Sequence, residues 1–392
     1  MASARRFRLS FYDVTVPDFR HTQYDQRLLS IRTTGRFHEK KSDFFEVRLM
    51  ISASPLPLAT SALSYFGMVP PLSAQFVSGG LLHRLLRVET TSGTFALKLL
   101  SPRSTEDPLS RARLERGEEV ARLALQAGIP AAVALQGPNH TFLQKIEAQW
   151  VTLYPWVEGE ILPPTSANAQ QCELMGHYLG QLHALRIRFP DQHKPTPEAF
   201  ENGHFRRIAA HAQRQNQDWA TQVEDVIVEL ESINARAMGA QLQLQEGWVT
   251  GHLDCDQKNV LWHENSPTIL DWESAKPIHP ALEALGAGLS WAGQSAGHTN
   301  FRALSAFLRG SSGAHPLSLT DFELAVEAVL GKWIIWLEFN LQRLLDPQVQ
   351  DTPEAEIALD AARHALTTTL KLSADGSLYT HWLNQMKFLG AE

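Results

Sequence analysis

The segment GHLDCDQKNVL, at residues 251–261, places acidic and amide side chains between apolar runs. Asp254 and Asn259 are five residues apart in it, and Asp271 follows twelve residues after Asn259, at the end of the run ILD. Transfer of a phosphoryl group needs a carboxylate that orients or deprotonates the attacking hydroxyl, and oxygen ligands for the Mg²⁺ that bridges the nucleotide phosphates. An Asp-x4-Asn loop followed by a strand that ends in Asp supplies both kinds of group.

A second group of residues lies much earlier in the chain and suits the phosphates of a nucleotide. Lys98 ends the run FALK, which is predicted to be a strand, and its ammonium group can reach the phosphates. Upstream of this strand, a glycine turn can close over the phosphates with backbone N–H groups, because glycine lets the backbone approach closely. The residues of this turn are Ser78, Gly79 and Gly80.

An acidic partner for the lysine of FALK is expected on the helix predicted over residues 107–127. Glu118 is the first choice, since it lies seven residues before Leu125, on the face predicted to be buried. Glu115 and Glu119 remain alternatives. A carboxylate at this position would fix the position of the ammonium group.

With these residues, the chain resembles the aminoglycoside phosphotransferase family, which shares the protein-kinase-like fold with choline kinases and related small-molecule kinases. His252, Asp254 and Asn259 match the H-x-D-x-x-x-x-N catalytic loop of the family, and ILDWESA matches the strand that ends in its metal-binding aspartate. LGQLHAL matches its Leu-His pair, FALK its nucleotide-binding lysine, and TLYPWVEGE its hinge. The resemblance covers roughly residues 58–390.

The resemblance implies how the catalytic loop works. Asp254 would be the catalytic base, or the group that orients the attacking hydroxyl. Asn259 and Asp271 would be ligands of Mg²⁺. ATP and Mg²⁺ are therefore the cofactors that the resemblance implies.

The resemblance also implies that the nucleotide contacts residues from the first half of the chain. Lys98 would bind the α- and β-phosphates, with Glu118 as its partner. The backbone of Leu153 and Tyr154 would offer hydrogen bonds to adenine. These backbone groups do not distinguish ATP from GTP.

The catalytic loop departs from the family at four positions. Residue 253 is leucine where the family commonly has glycine, and Asp256 replaces a frequent histidine. Gln257 and Lys258 stand where proline and glycine are usual. None of these changes removes a required oxygen ligand, so the chemistry should survive. They weaken any assignment of the chain to a characterised substrate subgroup.

Three acidic residues are candidates for contact with a cationic substrate. They are Asp256, Glu273 and Glu338. Asp256 has a second interpretation that is at least as good, as an aspartate that stabilises the turn of the loop.

Charge and composition restrict the class of protein. The net charge is −7, and it is unevenly spread, with 19 Lys and Arg against 13 Asp and Glu in residues 1–150, and 16 against 29 in residues 151–392. An acidic second part would repel a phosphate backbone, so no nucleic acid partner is expected. No apolar run is long enough for a membrane span, and two cysteines are too few for a disulfide framework. A cytoplasmic monomer or homodimer is the expectation.

The predicted fold class is α+β, with two lobes in a protein-kinase-like arrangement. Residues 1–50 are expected to be a dispensable extension outside the fold. Residues 51–157 would form the nucleotide-binding lobe, a small antiparallel sheet with one helix. Residues 158–392 would form a mainly helical lobe that carries the catalytic loop and the substrate site.

The second lobe is predicted from long helical patterns. These patterns cover residues 167–185, 205–237, 319–345 and 353–372. His183 and His252 are expected to be buried hydrogen-bonding residues. Glu283, in HPALEAL, is expected to cap or anchor the helix that follows it.

The sequence therefore predicts an ATP- and Mg²⁺-dependent phosphotransferase that acts on a hydroxyl of a small molecule, with an aminoglycoside-type antibiotic as the first candidate substrate. A metabolic kinase of the choline, homoserine, methylthioribose or sugar type is the main alternative. A non-catalytic nucleotide-binding pseudokinase is the rival from another class, and the presence of base, metal ligands and lysine disfavours it.

Overall fold

The computed structural model describes residues 54–77, 83–163, 165–350 and 352–386. The extension predicted at residues 1–50 and the turn Ser78-Gly79-Gly80 lie outside these ranges. The described chain divides into two compact units. The first contains the described residues up to Arg111 and Ala134–Trp156, and the second contains Ala112–Val133 and the residues from Val157 onwards. The predicted boundary between two lobes at residue 157 stays a prediction. In the structure, residues 112–133 belong to the second unit.

The first unit is a five-stranded antiparallel sheet with a helix, residues 56–65, packed against it. The helices here are α1 (Leu56–Tyr65) and α2 (Pro102–Thr105), and the strands are β1 (Pro71–Val77), β2 (Arg84–Thr90), β3 (Gly93–Leu99), β4 (Gln144–Ile146) and β5 (Gln149–Pro155). The strand order is β1-β2-β3-β5-β4. Apolar side chains of the sheet pack with Ala59, Ala62 and Leu63 of α1 to form the core of this unit.

The second unit is mostly helical and contains two small antiparallel sheets. Its helices are α3 (Pro108–Gln126, which begins in the first unit), α4 (Ala169–Ala184), α5 (His204–Arg214), α6 (Ala220–Asp225), α7 (Ile227–Gln243), α8 (Pro280–Trp291), α9 (Phe301–Ala314), α10 (Leu319–Ala328), α11 (Leu330–Leu345), α12 (Pro353–Ala374) and α13 (Gly376–Asn384). Its strands are β6 (Glu160–Ile161), β7 (Val249–Gly251), β8 (Val260–His263), β9 (Ser266–Ile269) and β10 (Lys276–Ile278). They pair as β6-β8-β9 and as β10-β7.

Polar side chains at the helix starts explain where several of these helices begin. Asn168 accepts a hydrogen bond from the Gln171 backbone N–H, and the Gln171 side chain accepts one from Asn168, so a capping box starts α4. Asn300 caps α9 and Ser318 caps α10 in the same way, through side-chain oxygens that accept backbone N–H groups.

Two of the predicted helical segments are interrupted in the structure. The segment at residues 205–237 is three helices, because the chain turns after α5 at Asn216, whose φ is +54°. The segment at residues 319–345 is divided at Val329 into α10 and α11. Helix α9 was not predicted, although it forms part of the core. Of the helices in the described ranges, none combines the length and apolar character that a membrane span needs.

Helices α4 and α9 approach each other closely because glycines line their contact. A Cβ atom on Gly176 of α4 would lie 1.9 Å from the carbonyl oxygen of Phe307, and one on Gly180 would lie 2.3 Å from that of Ser311. On the other side, a Cβ atom on Gly310 would lie 2.0 Å from the carbonyl oxygen of Glu173. Only glycine fits at such distances, so this helix pair has little tolerance for larger residues.

We predict that Gly176→Ala lowers the free energy of unfolding by roughly 1–3 kcal/mol, because the new methyl group forces the two helices apart. Gly239→Ala, in the middle of α7, is the matched control, since no atom lies within 4 Å of its added Cβ. The control should raise stability by about 0.5–1 kcal/mol through helix propensity. Urea unfolding measures both values. Equal effects of the two substitutions would show that the α4–α9 contact does not require glycine.

Candidate functional site

The hairpin of β8 and β9 brings Asn259 and Asp271 to the same end of a small sheet. Val260 and Ile269 are paired across this hairpin. Beyond that pair, the backbone N–H of Leu270 donates to the carbonyl oxygen of Asn259 at 2.8 Å. Asp271 is the next residue, and its φ of +58° ends the strand. Two residues twelve apart in sequence are thus held at one edge of the sheet by backbone geometry.

His252 connects the catalytic loop to the same strand end. Its Nε2 lies 3.0 Å from the carbonyl oxygen of Leu270, and its Nδ1 accepts the backbone N–H of Asp254 at 3.2 Å. Since Nδ1 is an acceptor, the proton is on Nε2, which donates to Leu270. The ring is 1% exposed and packs against Trp272, with ring centroids 4.6 Å apart. The expectation that His252 is a buried hydrogen-bonding residue is confirmed.

Asp254 and Asn259 contact each other directly. Asn259 donates through Nδ2 to both the carboxylate Oδ2 and the backbone carbonyl of Asp254, each at 2.8 Å. The amide nitrogen is therefore occupied, and the amide oxygen is the atom that can serve as a ligand. On the carboxylate, Oδ2 takes the donors, and none of the described residues places a donor on Oδ1. This oxygen can accept a proton from a hydroxyl group.

The donor set suits Mg²⁺ that is shared with a nucleotide. One amide oxygen and one carboxylate, from Asn259 and Asp271, are hard oxygen ligands of the type that Mg²⁺ prefers. Among the described residues there is no group of three or more His, Cys, Asp or Glu side chains placed to hold a metal by themselves. Phosphate and water oxygens would therefore complete the coordination, which is how Mg²⁺ is usually bound in enzymes that use nucleotides.

The charges around the loop are balanced by two lysines. Lys258 Nζ lies 3.1 Å from Asp254 Oδ2 and 3.6 Å from Asp256 Oδ2. Burial would lower the pKa of Lys258, but the charges of Asp256 and Asp254 outweigh it and raise that pKa. Burial raises the pKa of Asp256, against the opposing charges of Lys258 and Lys332. Asp256 also accepts the Lys258 backbone N–H through Oδ1 at 3.2 Å, as a turn-stabilising aspartate does.

Two buried side chains, Glu283 and His183, hold the backbone of Leu253, the residue before Asp254. The sequence did not predict this interaction. Leu253 has a φ of +64°, a left-handed conformation that is unfavourable for leucine and that explains why glycine is common there in the family. Its backbone N–H donates to Glu283 Oε1 at 2.6 Å, and Glu283 Oε2 lies 2.8 Å from His183 Nε2. His183 is fully buried, as expected. Glu283 does lie in the first turn of α8, but its carboxylate anchors the catalytic loop and not only the helix.

Glu118 lies on a helix that packs against the turn after Asp271. A Cβ atom on Gly117 would lie 2.4 Å from the carbonyl oxygen of Trp272, so α3 rests directly on this turn. Glu118 is 8% exposed, whereas Leu125, used to predict the buried face, is 50% exposed. The prediction that Leu125 marks the buried face of α3 is therefore wrong, although Glu118 is buried. The core face of α3 contains Val120, Ala121 and Ala124 because these small side chains allow close packing.

The alternative partners Glu115 and Glu119 are in different surroundings. Glu119 forms an ion pair with Arg122 at 2.6 Å, and Glu115 is partly exposed. The assignment of Glu118 stays a prediction.

The predicted nucleotide-binding residues of the first unit lie on two neighbouring strands. Lys98 of β3 is opposite Thr152 of β5, and Tyr154 is opposite Ala96. The carbonyl oxygen of Leu153 accepts the Leu135 backbone N–H at 2.7 Å. The roles of Lys98, Leu153 and Tyr154 toward a nucleotide stay predictions.

The other predicted substrate residues differ in their surroundings. Glu273 lies in the turn after Asp271, with its Cα 3.2 Å from the position of a Gly117 Cβ. Glu338 Oε1 lies 3.3 Å from His204 Nε2 and accepts a hydrogen bond from the Gln342 side chain at 3.0 Å. Among the described residues, the partners of Glu338 do not include the catalytic loop.

We predict that Glu283→Ala lowers the free energy of unfolding by roughly 3–5 kcal/mol, since it leaves a buried N–H and a buried imidazole without their acceptor. Glu283→Gln should cost less, because its amide oxygen still accepts the Leu253 N–H. Urea unfolding at pH 7.5 measures both, with Glu246→Gln on the surface as the control.

The same residue predicts a pH dependence of stability. Burial alone would raise the pKa of Glu283, but the hydrogen bond and charge of His183, with the Leu253 N–H, lower it below its usual range. This contribution to stability is present above the unfolded pKa of about 4.3 and is lost as the pH falls through the folded value. Glu283→Gln should therefore flatten the loss of stability in acid. An unchanged slope in acid would contradict the role of the ionised carboxylate.

Comparison with known proteins places this geometry in a family. A family model described as a phosphotransferase enzyme family, APH, matches residues 73–315. No match was found among curated proteins. Similar solved structures exist at low sequence identity, where the likeness concerns the fold alone.

Three of these structures illustrate the shared fold. Spectinomycin phosphotransferase APH(9)-Ia in complex with ADP and spectinomycin is 15% identical over 80% of this chain and 97% of its own, with a TM-score of 0.58. Amicoumacin kinase hAmiN in complex with AMP-PNP, Ca²⁺ and Ami is 13% identical over 83% and 96%, with a TM-score of 0.56. An aminoglycoside phosphotransferase from Alicyclobacillus acidocaldarius subsp. acidocaldarius DSM 446 is 13% identical over 85% and 98%, with a TM-score of 0.54.

The predicted α+β, protein-kinase-like fold with two units is therefore confirmed. The matched range contains the catalytic loop, the β8–β9 hairpin and the helix that carries Glu118. The enzyme class is that of phosphotransferases with an alcohol group as acceptor. The chain belongs to the APH phosphotransferase enzyme family.

Proposed function

We propose that this enzyme transfers the γ-phosphoryl group of ATP, with Mg²⁺, to a hydroxyl group of a small molecule. The observation that carries the proposal is the 2.8 Å contact between the Asp254 carboxylate and the Asn259 amide, at the strand end where Asp271 follows Leu270. This arrangement supplies one oxygen for a hydroxyl proton and two groups for a metal. Catalysis then consists of positioning and of charge stabilisation.

Each of these residues has a defined task in this proposal. Asp254 orients the attacking hydroxyl and accepts its proton at Oδ1. Asn259 holds Oδ2 through its amide nitrogen and offers its amide oxygen to the metal, and Asp271 offers its carboxylate. When bound, Mg²⁺ neutralises the charge on the phosphates. His252 keeps these groups together by its bond to Leu270.

For the nucleotide, we propose contacts with the residues that the sequence predicts. Lys98 would bind the phosphates, and Glu118 keeps its proposed role as the acidic partner of the nucleotide-binding lysine. Leu153 and Tyr154 would contact adenine, and the backbone of Ser78, Gly79 and Gly80 would cover the phosphates. The complexes of two similar structures with ADP, and with AMP-PNP and Ca²⁺, support a nucleotide and a divalent metal.

For the substrate, we propose a hydroxyl-bearing antibiotic of the aminoglycoside type as the first candidate, and hence a role in antibiotic resistance. The complexes of similar structures with spectinomycin and with Ami support this choice. Asp256, Glu273 and Glu338 remain the proposed acidic contacts to substrate. Around the catalytic loop, however, Lys258 and Lys332 already balance Asp254 and Asp256. Because these charges are balanced, the catalytic loop itself does not attract a strongly cationic substrate more than a neutral one.

A metabolic small-molecule kinase is the second candidate function. The similarity in fold to a microcompartment-associated aminopropanol kinase, with a TM-score of 0.53, supports this second candidate. A pseudokinase is disfavoured, because the base and both metal-binding residues are present. We also propose a cytoplasmic location and a monomeric or homodimeric state. The two cysteines, Cys172 and Cys255, are both free and buried, which suits a reducing compartment.

The test is consumption of ATP by the purified enzyme with a panel of hydroxyl compounds, in the presence and absence of Mg²⁺. The panel contains aminoglycosides, spectinomycin, choline, homoserine, methylthioribose, aminopropanol and amino sugars. We expect one class to stimulate turnover and EDTA to abolish it. Asp254→Ala should lower kcat by about 10²–10⁴-fold while nucleotide binding is retained. Asp360→Ala, at an exposed position of α12, is the control.

Two results would contradict this proposal. Full turnover by the Asp254→Ala enzyme would remove Asp254 from the reaction. Binding of ATP without turnover on any class of the panel would favour the pseudokinase. Antibiotic susceptibility of cells that express the gene then separates resistance from metabolism.

A further inference from the structure

Lys258 is a positive charge in direct contact with the proposed catalytic base. Its ammonium group lies 3.1 Å from Oδ2 of Asp254, the same oxygen that Asn259 holds. Its backbone is fixed in the turn Gln257–Asn259, where Asp256 accepts its N–H. Its side chain is 58% exposed, so the ammonium group can move while the backbone stays in place. An ammonium group on an exposed, flexible side chain can therefore change its partner during a reaction, while the loop that carries it stays in place.

The position of Asp254 also fixes where the transferred phosphoryl group must be. A base contacts the hydroxyl oxygen at about 2.6–3.2 Å, and that oxygen must lie about 3–3.5 Å from the phosphorus it attacks. The phosphorus is then within roughly 6–7 Å of Asp254 Oδ1. An ammonium group 3.1 Å from the other oxygen of the same carboxylate starts within a short movement of the phosphoryl oxygens.

We propose that Lys258 is a catalytic residue that moves from Asp254 to the γ-phosphoryl group when the nucleotide is bound, and that it stabilises the charge on this group during transfer. The proposal rests on the proposed function. It assigns a task to a residue that stands where the family usually has glycine.

The exchange of partners has a physical cause. Lysine is a compact point charge on a flexible stem, and phosphate oxygens are good acceptors for it. A γ-phosphoryl group brings up to two negative charges and three terminal oxygens next to Asp254, and it competes with the Asp254 and Asp256 carboxylates for the ammonium group. Oδ2 keeps the Asn259 N–H, so Asp254 stays oriented after Lys258 leaves.

The step balances as an in-line displacement. The hydroxyl oxygen forms a bond to the γ-phosphorus while the bond from this phosphorus to the β–γ bridging oxygen breaks, and that electron pair stays on ADP. The hydroxyl proton goes to Asp254 Oδ1. Lys258 remains protonated throughout and contributes charge only.

A purely structural role for Lys258 predicts different results. In that case the lysine only offsets the repulsion between Asp254 and Asp256 within the loop. Its removal would then lower the stability of the loop and weaken ATP and ADP binding to the same extent. A role toward the γ-phosphoryl group predicts a selective effect on nucleotides that carry this group.

The experiment compares Lys258→Met and Lys258→Arg with the wild type. It measures dissociation constants of the Mg²⁺ complexes of AMP-PNP and ADP by calorimetry, kcat and KM with the substrate from the panel, and Tm. Lys194→Met is the matched control, since Lys194 also forms an ion pair with a glutamate, Glu246, and its side chain is 53% exposed.

For Lys258→Met, we expect AMP-PNP affinity to fall about tenfold while ADP affinity changes less than about twofold, in line with the loss of one hydrogen bond to a charged group. The kcat should fall on the order of 10²-fold, with little change in the KM of the hydroxyl substrate. Lys258→Arg, which keeps the charge, should stay within about tenfold of the wild-type kcat. Tm should match that of the control.

Equal losses of AMP-PNP and ADP affinity, or an unchanged preference between them, would overturn the proposal for Lys258 while leaving the proposed function in place. A lowered Tm with unchanged kcat would assign the lysine to loop stability instead. A wild-type enzyme that binds no nucleotide would overturn the proposed function and the role of Lys258 together.

Discussion

The candidate site depends on the backbone of a single residue, Leu270. Its N–H donates to the carbonyl oxygen of Asn259, and its carbonyl oxygen accepts Nε2–H of His252. These two bonds join the catalytic loop at both ends to the strand that leads into Asp271. Because the Leu270 backbone and the His252 imidazole make these connections, Oδ1 of Asp254 and the amide oxygen of Asn259 are not used to join the loop to the strand.

A second, buried interaction allows the loop to keep its shape despite local strain. Leu253 adopts a left-handed conformation that costs of order 1–3 kcal/mol for a residue other than glycine. The bond from its N–H to Glu283, which is itself bonded to His183, offsets part of this cost in a place that water does not reach. Helices α4 and α8, through His183 and Glu283, therefore hold the residue that precedes Asp254. The position of the Asp254 carboxylate thus depends on contacts with the helical core of the second unit.

The spacing of the loop and strand made much of the site predictable, and the limits of prediction have physical reasons. The residues Asp254, Asn259 and Asp271 follow from local chain geometry, so their positions could be read from sequence. The hydrogen bonds of Glu283 to Leu253 and to His183 join distant parts of the chain. Apolar periodicity gives no information about such contacts. Periodicity also failed for Leu125 of α3, where close packing of small residues, and not the largest apolar side chain, sets the buried face. The segment at residues 205–237 is interrupted at Asn216, which takes the left-handed conformation that asparagine favours, and apolar periodicity does not register this turn.

The proposed chemistry requires that Asn259 and Asp271 hold one metal ion beside Asp254. The most direct test is a crystal structure of the enzyme with AMP-PNP and Mg²⁺. We predict Mg²⁺ at about 2.0–2.1 Å from Asn259 Oδ1 and from a carboxylate oxygen of Asp271, with phosphate oxygens in the remaining positions. A metal ion bound to the nucleotide but held by other residues, with both of these side chains outside its coordination sphere, would contradict it.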